Sequence, residues 1–314
     1  MILVGGNKVK NKDFLRITDL EASEIKALVK RAIELKSSIS PKPLSGSNIS
    51  LLFEKPSLRT KLSFDIGVHQ LGGHPIYMGP DEVGIGNRES ISDIAKVLSR
   101  YVHCIIARVN LHSTIEEMGT NASVPVINAL SDLEHPCQTL ADLQTIMEHK
   151  GRLEKLKIAY IGDANNVARS LALGIASVGS SFVIASPLEH TLDSNTLEKA
   201  IRIASSNNCQ ISTLTDPLDA IAGADVVYTD VWTSMGQENE KIARLKQFQG
   251  YTVTPELMSH ANKDAIFMHD MPAHYGEEVV EGMLDKPFSV AFDQAENRLH
   301  AQKGILSHIF TNVN

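Results

Sequence analysis

Short β-branched and aliphatic runs alternate along this chain with stretches whose apolar residues fall three and four apart, the rhythm of crossover units that feed parallel sheets. The runs at 50–54, 74–78, 103–108 and 125–128 predict strands in the first half, and those at 157–161, 182–185, 210–213, 225–229, 265–268 and 289–292 predict strands in the second. Between them, Ile91, Ile94, Ala95 and Leu98, and again Leu140, Leu143 and Met147, mark amphipathic helices. Thr18 followed by Glu21 has the form of a capping box, opening a helix whose apolar face is Ile25, Leu28, Val29 and Ile33. A last helix, roughly 297–310, closes the chain. Strand rhythm stops between 135 and 150 and restarts at Lys157, so the division between two domains falls inside a helix. The pattern predicts an α/β protein with two doubly wound domains on parallel sheets. Residues 1–147, with a helix over 295–314 packed back on them, form the first, and 148–294 the second.

Composition narrows the function. The chain's 314 residues have room for two cores. Lys and Arg number 30 against 37 Asp and Glu, a formal charge of -7, so no global basic field exists to hold nucleic acid. The apolar stretch nearest membrane length, 171–184, is interrupted by Gly174, Ser177, Gly179, Ser180 and Ser181 and falls short of the ~20 apolar residues a span needs. No membrane partner is expected. The opening MILVGGNKVKNK has no basic region ahead of its short apolar run, which predicts no signal peptide and a cytoplasmic protein. Cys104, Cys137 and Cys209 form no CxxC pair and are expected to be thiols.

The residues suited to chemistry stand just after predicted strands. Ser57 is a good N-cap for a helix carrying Leu58, Leu62 and Ile66 on one face, and its free N–H groups with the Ser57, Arg59 and Thr60 side chains describe an anion cradle. Arg108 ends an apolar strand, delivering a guanidinium where ligands of open α/β sheets bind. His135 and Gln138 lie three residues apart at the start of a helix. The loop Gly162-Asp163-Ala164-Asn165-Asn166 lacks the GxGxxG spacing, which argues against a dinucleotide cofactor, and its asparagines suit a small polar ligand. Asp230 and Ser234 follow another strand end and suit an α-ammonium and a carboxylate.

Six motifs in this order resemble those of the aspartate/ornithine carbamoyltransferase family: Ser57-Leu58-Arg59-Thr60, Arg108, His135-Pro136-Cys137-Gln138, Asp163 to Asn166, Asp230 to Gly236 with Gln237-Glu238, and His269-Asp270-Met271-Pro272-Ala273-His274. The string DVWTSMGQE is similar to the ornithine-specific branch. The resemblance runs from about residue 13 to the C-terminus. It implies transfer of the carbamoyl group of carbamoyl phosphate to the δ-amine of L-ornithine, giving citrulline and phosphate in arginine metabolism. Both substrates would lie in the cleft between two domains, without metal or organic cofactor, in a homotrimer or a multiple of trimers. It further implies that Ser57, Leu58, Arg59, Thr60 and Arg108 bind carbamoyl phosphate, joined by Arg298, and that His135 with Arg108 and Thr60 polarises the carbamoyl oxygen. Gln138 would hold the carbamoyl nitrogen, aided by the backbone carbonyls of Asp270 and Met271. Asn166, Asp230, Ser234 and the Met235 backbone would hold ornithine. Arg108, His135 and Asp270 carry the catalytic assignment.

Three positions depart from the family pattern. His269-Asp270-Met271-Pro272 stands where the family usually reads His-Cys-Leu-Pro, Lys61 replaces the arginine that often ends the first motif, and Gly84 replaces a polar residue offered to a neighbouring subunit. The alternatives are a carbamoyltransferase for a modified ornithine or putrescine, and a catalytically weakened regulatory relative with Asp270 as the lesion. Asp230 and Ser234 favour a free α-amino acid, since putrescine lacks the carboxylate and an acylated amine lacks the charge.

Overall fold

The structure, a computed structural model, describes residues 13–37, 41–85, 88–234, 236 and 238–311. The opening segment read for targeting, Gly86, Asn87, Met235 and Gln237 lie outside the described residues. The first layer runs α1 (Ala22–Ser37), β1 (Asn48–Phe53), α2 (Leu58–Gln70), β2 (His74–Met78), α3 (Pro80–Val83), α4 (Ile91–Tyr101), β3 (Cys104–Arg108), α5 (His112–Asn121) and β4 (Val126–Leu130). Helix α6 (Pro136–Lys150) carries the chain across to β5 (Lys157–Ile161), α7 (Asn166–Val178), β6 (Ser181–Ala185), α8 (Ser194–Ser206), β7 (Ile211–Leu214), α9 (Pro217–Ile221) and β8 (Val226–Thr229). Then come α10 (Lys241–Gln247), α11 (Pro255–Met258), β9 (Ile266–His269) and α12 (Ala291–Thr311).

Both sheets are parallel, in the orders β2-β1-β3-β4 and β7-β6-β5-β8-β9. Central strands such as β3 are buried along their whole length because helices cover both faces, which is why they read as unbroken apolar runs. Each order reverses once, between β1 and β3 in the first sheet and between β5 and β8 in the second. Loops leave such a switch point on opposite faces and open a crevice at the carboxyl ends of the strands.

Helix α6 binds the two sheets into one body. Every residue from Pro136 to Ile146 is buried, so the predicted amphipathic stripe of Leu140, Leu143 and Met147 is a helix enclosed on all sides. A Cβ at Gly174 of α7 would stand 2.4 Å from the Thr139 methyl of α6, so only glycine lets these helices approach so closely. Helix α12 packs on α1, α2 and α6. The Lys303 ammonium, buried beneath it, donates to the Leu35 carbonyl at 2.8 Å and to Gln70 Oε1 at 3.0 Å.

Three expectations, the strand at 289–292, the helix start near 297 and the capping box at Thr18, need correction. Residues 289–292 are not a strand: Ser289 makes one isolated bridge to Phe267, and Ala291 already opens α12, which therefore begins well before residue 297. Thr18 does not open α1; it lies in a 3-10 turn (Ile17–Asp19) and accepts from Lys199, while α1 starts at Ala22 with Glu24 closing back on the Glu21 amide. Leu58, Leu62 and Ile66 form the exposed side of α2, whose buried side is Thr60, Phe64, Gly67 and Val68. The stretch 171–184 is the end of α7, a left-handed Gly179 cap and the start of β6, and among the described residues no helix is long and apolar enough to cross a membrane. Cys104, Cys137 and Cys209 are free.

Candidate active site

The loops from both switch points line one cleft of about 800 Å³. On the first-sheet side, the chain leaves β1 through Lys55-Pro56, and Ser57 in extended backbone caps α2 by accepting from the Thr60 amide. Thr60 is fully buried just behind the cleft wall, and its hydroxyl is the hub of the cationic side. It takes hydrogen bonds from Arg108 Nη1 at 3.3 Å and Arg298 Nη2 at 2.7 Å, and contacts Ser57 Oγ at 3.0 Å. Arg108 comes from the end of β3, Arg298 from α12 and half-buried Arg59 from the first turn of α2, so three elements converge one positive charge each. The buried Nε atoms of Arg108 and Arg298 have no hydrogen-bond partner among the described residues. Burial, then the nearby Arg298, lower the Arg108 guanidinium to about 10, and the same two causes lower Arg59. At neutral pH both still hold their charge.

His135 ends the loop before α6, with its backbone N–H fixed by Ser170 Oγ at 2.8 Å and its buried Nδ1 without a partner among the described residues. Burial, with Arg298 and Arg108 adding to it, drives this imidazole well below its usual range, so it stays neutral. Leu58 lines the cleft mouth with an exposed side chain. Gln138 is buried behind the cleft: Nε2 donates to Asp142 Oδ1 at 2.9 Å, and Oε1 has no partner among the described residues.

On the second-sheet side, Asp230 follows β8 and is nearly fully buried. Its Oδ2 accepts from Asn165 Nδ2 at 2.7 Å. Burial, with Asp270's charge adding to it, pushes the Asp230 carboxyl up to about 7. Asn165, not Asn166, is therefore the asparagine joined to Asp230, and its Oδ1 also caps α7. Asn166 lines the cleft with its amide nitrogen given to the Ser131 carbonyl at 2.7 Å. Ser234 lines the same wall, and Met235 lies outside the described residues.

The loop after β9 closes the cleft. Asp270 Oδ1 stands 3.3 Å from Arg298 Nη1, and Met271 has a left-handed φ of 59°, a conformation that costs a non-glycine residue about 1 kcal/mol or more. The turn is held from below, because the Met271 amide donates to His269 Nδ1 at 2.8 Å and His269 Nε2 meets buried Glu278 at 3.1 Å. Sequence reasoning passed over this His269–Glu278 support, and also the Asp163 carboxylate between Arg244 at 3.2 Å and His190 at 3.4 Å. His274, Glu277 and Glu278 bring possible metal-ligand atoms within 4.8 Å of one another, yet Lys241 already engages Glu277 at 2.7 Å and Glu278 is committed to His269 and the His274 amide.

Asp142 lies beneath the site, accepting from Gln138, Gln294 and Tyr228 in full burial, and burial with Asp270's charge pushes its carboxyl up to about 7. Since an unfolded aspartate titrates near ~3.9, the folded state binds the extra proton between about 4 and 7 and its stability falls as pH rises through that window, by on the order of 4 kcal/mol in total. Asn keeps the shape of the protonated form. Asp142→Asn should therefore gain on the wild type in thermal melts as pH rises across that range. A pH-independent difference between the two would show that Asp142 is not the titrating group.

Fold and site together define a two-layer α/β protein whose central cleft presents a cationic cradle on one wall and buried carboxylate and amide groups on the other. Residues 12–148 match the family described as aspartate/ornithine carbamoyltransferase, carbamoyl-P binding domain, and residues 154–309 match its Asp/Orn binding domain. The chain is 45% identical to an ornithine carbamoyltransferase of Thermococcus kodakarensis over 96% of its own length and 97% of that relative's. The solved ornithine carbamoyltransferase of Pyrococcus furiosus has a TM-score of 0.91 at 43% identity, covering 95% of this chain and 96% of that one. An anabolic ornithine carbamoyltransferase from Campylobacter jejuni has a TM-score of 0.92 at 37% identity, covering 96% and 99%. The chain belongs to the aspartate/ornithine carbamoyltransferase family.

Proposed function

We propose that this protein transfers the carbamoyl group of carbamoyl phosphate to the δ-amine of L-ornithine, yielding L-citrulline and phosphate. One observation carries the reading: a single cleft joins the Arg59, Arg108 and Arg298 cluster around Thr60 to the Asp230–Asn165 pair facing it. The cationic wall suits a phosphate dianion and the acidic wall an α-ammonium. We assign the phosphate to Ser57, Arg59, Thr60, Arg108, Arg298 and the first N–H groups of α2. Neutral His135 and Arg108 face the oxygen on which charge develops, and Gln138 with the Asp270 and Met271 carbonyls orients the carbamoyl nitrogen. Asn166, Asp230, Ser234 and Met235 take the amino-acid end.

In the reaction the amine nitrogen attacks the carbamoyl carbon as the bond from that carbon to the phosphate oxygen breaks. Phosphate leaves with the electron pair, and starting from the ammonium one net proton passes to solvent. Holding both substrates in one cleft supplies proximity, and fixed donors supply electrostatic stabilisation without reorganisation.

Residues 1–147, with α12 from residue 295 onward packed back on them, are assigned as the carbamoyl phosphate domain and 148–294 as the ornithine domain. The exposed apolar side of α2, where Leu58 is 71% and Leu62 48% accessible, supports a trimer built on that face, and three free cysteines suit the cytoplasm. Purified protein should form citrulline from carbamoyl phosphate and ornithine, and prefer ornithine to putrescine and N-acetylornithine by roughly 10²-fold or more in kcat/KM, because each analogue leaves a buried polar group unpaired. Preference for an analogue, or no turnover, would overturn this assignment, the latter in favour of a weakened relative.

A further inference from the structure

We infer that Asp270 and the phosphate of the first substrate compete for Arg298, so that phosphate binding transfers Asp270 from the arginine to the terminal ammonium of the second substrate. The inference rests on the proposed function and assigns a role to Asp270, which stands at the cysteine position of the family's His-Cys-Leu-Pro pattern. Arg298 is placed by α12 with one terminal nitrogen on Thr60, at 2.7 Å, and the other on Asp270, at 3.3 Å. Its side chain is 4% exposed and that of Asp270 12%, so solvent screens the pair weakly. The Asp270 end is not free to follow the arginine. It springs from a loop pinned by the Met271 amide on His269 and by His269 on Glu278, so a guanidinium drawn toward a phosphate leaves the carboxylate behind.

Charge balance gives the direction. Arg108 and Arg298 meet at Thr60, Arg59 lies within reach of their charges, and Asp270 is the carboxylate whose field reaches all three. A phosphate entering this cluster gains from three cations and is opposed by Asp270. Once it is seated, its two negative charges offset the arginines, and Asp270 is left with charge to spend on a cation from the other wall. Asp270 therefore weakens phosphate binding and strengthens ammonium binding once the phosphate is seated. A cysteine thiol at this position would do neither.

The test separates the two ligands. Inorganic phosphate titrated calorimetrically into the full-length protein without ornithine should bind Asp270→Asn about ten-fold tighter than wild type. Asp270→Cys, which cannot present an amide to the phosphate, should tighten binding similarly and guards against loss of folding in the first variant. In both, kcat/KM for ornithine at saturating carbamoyl phosphate should fall by about ten-fold or more. Unchanged or weaker phosphate affinity in both variants would overturn the inference, as would tighter phosphate with an unaltered ornithine parameter. The phosphate titration needs no turnover, so it reads Asp270 even if the citrulline assay fails and takes the proposed function with it.

Discussion

Replacing Arg108 by alanine should lower kcat/KM for carbamoyl phosphate by about 10²- to 10³-fold, the loss expected when a preorganised donor to a developing oxyanion is removed. Arg108 is 7% exposed and donates to Thr60, so water cannot readily take the place of its guanidinium. Arg59→Ala, at the half-exposed edge of the same cluster, should lose at least ~2 kcal/mol of transition-state binding. The graded pair tests the cradle as a unit. Steady-state kinetics with near-normal kcat/KM in both would remove the phosphate from this wall.

Asp230→Asn should reduce kcat/KM for ornithine by about 10²-fold, since a buried carboxylate meeting a cation contributes more than a neutral amide can replace. Phosphate affinity measured without ornithine should be almost unchanged, and equal losses for both ligands would make Asp230 structural. The pH profile carries the sign. Asp230 is held up to about 7, first by burial and then by Asp270, so below that pH it is protonated and cannot receive the α-ammonium. The ornithine amine also has to lose a proton, with a reference near ~10.4. Log kcat/KM in the wild type should therefore rise more steeply below pH 7 than above it, and Asp230→Asn should erase the break.

The strands of the centre were legible because burial on both faces leaves almost only apolar residues there: 157–161 coincides with β5, and 103–108 overlaps β3 but for its first residue. The same cue misled at 289–292, where Ser-Val-Ala-Phe has strand composition but Ala291 and Phe292 are the first turn of a 21-residue helix. The apolar row Leu58, Leu62 and Ile66 on α2 could not say which side faces the core, and that row faces out while Phe64 and Val68 face in. Of the candidate site, the residues at strand ends, Arg108 and Asp230, were placed by topology alone. Arg298 reaches Thr60 across 238 positions, and no local pattern encodes that meeting. The choice between Asn165 and Asn166 turned on one residue at a helix cap, where the preceding extended residue, not the first helical one, points its side chain across to β8. Loop supports such as the His269–Glu278 hydrogen bond and the Asp163–Arg244 ion pair join residues from different elements and follow no periodic pattern that a single sequence displays.

Helix α12 starts against β9, where Gln294 links the His269 amide to Asp142 and Tyr228, and ends among α1, α2 and α6 of the other layer. On the ribosome this helix emerges after both sheets have been synthesised. Until then the covered faces of α1 and α6 are exposed to the crowded cell, and the cationic wall has only two of its three arginines. A nascent chain can thus shape both sheets without completing the cleft, and α12 covers apolar surface and supplies the third arginine in the same event.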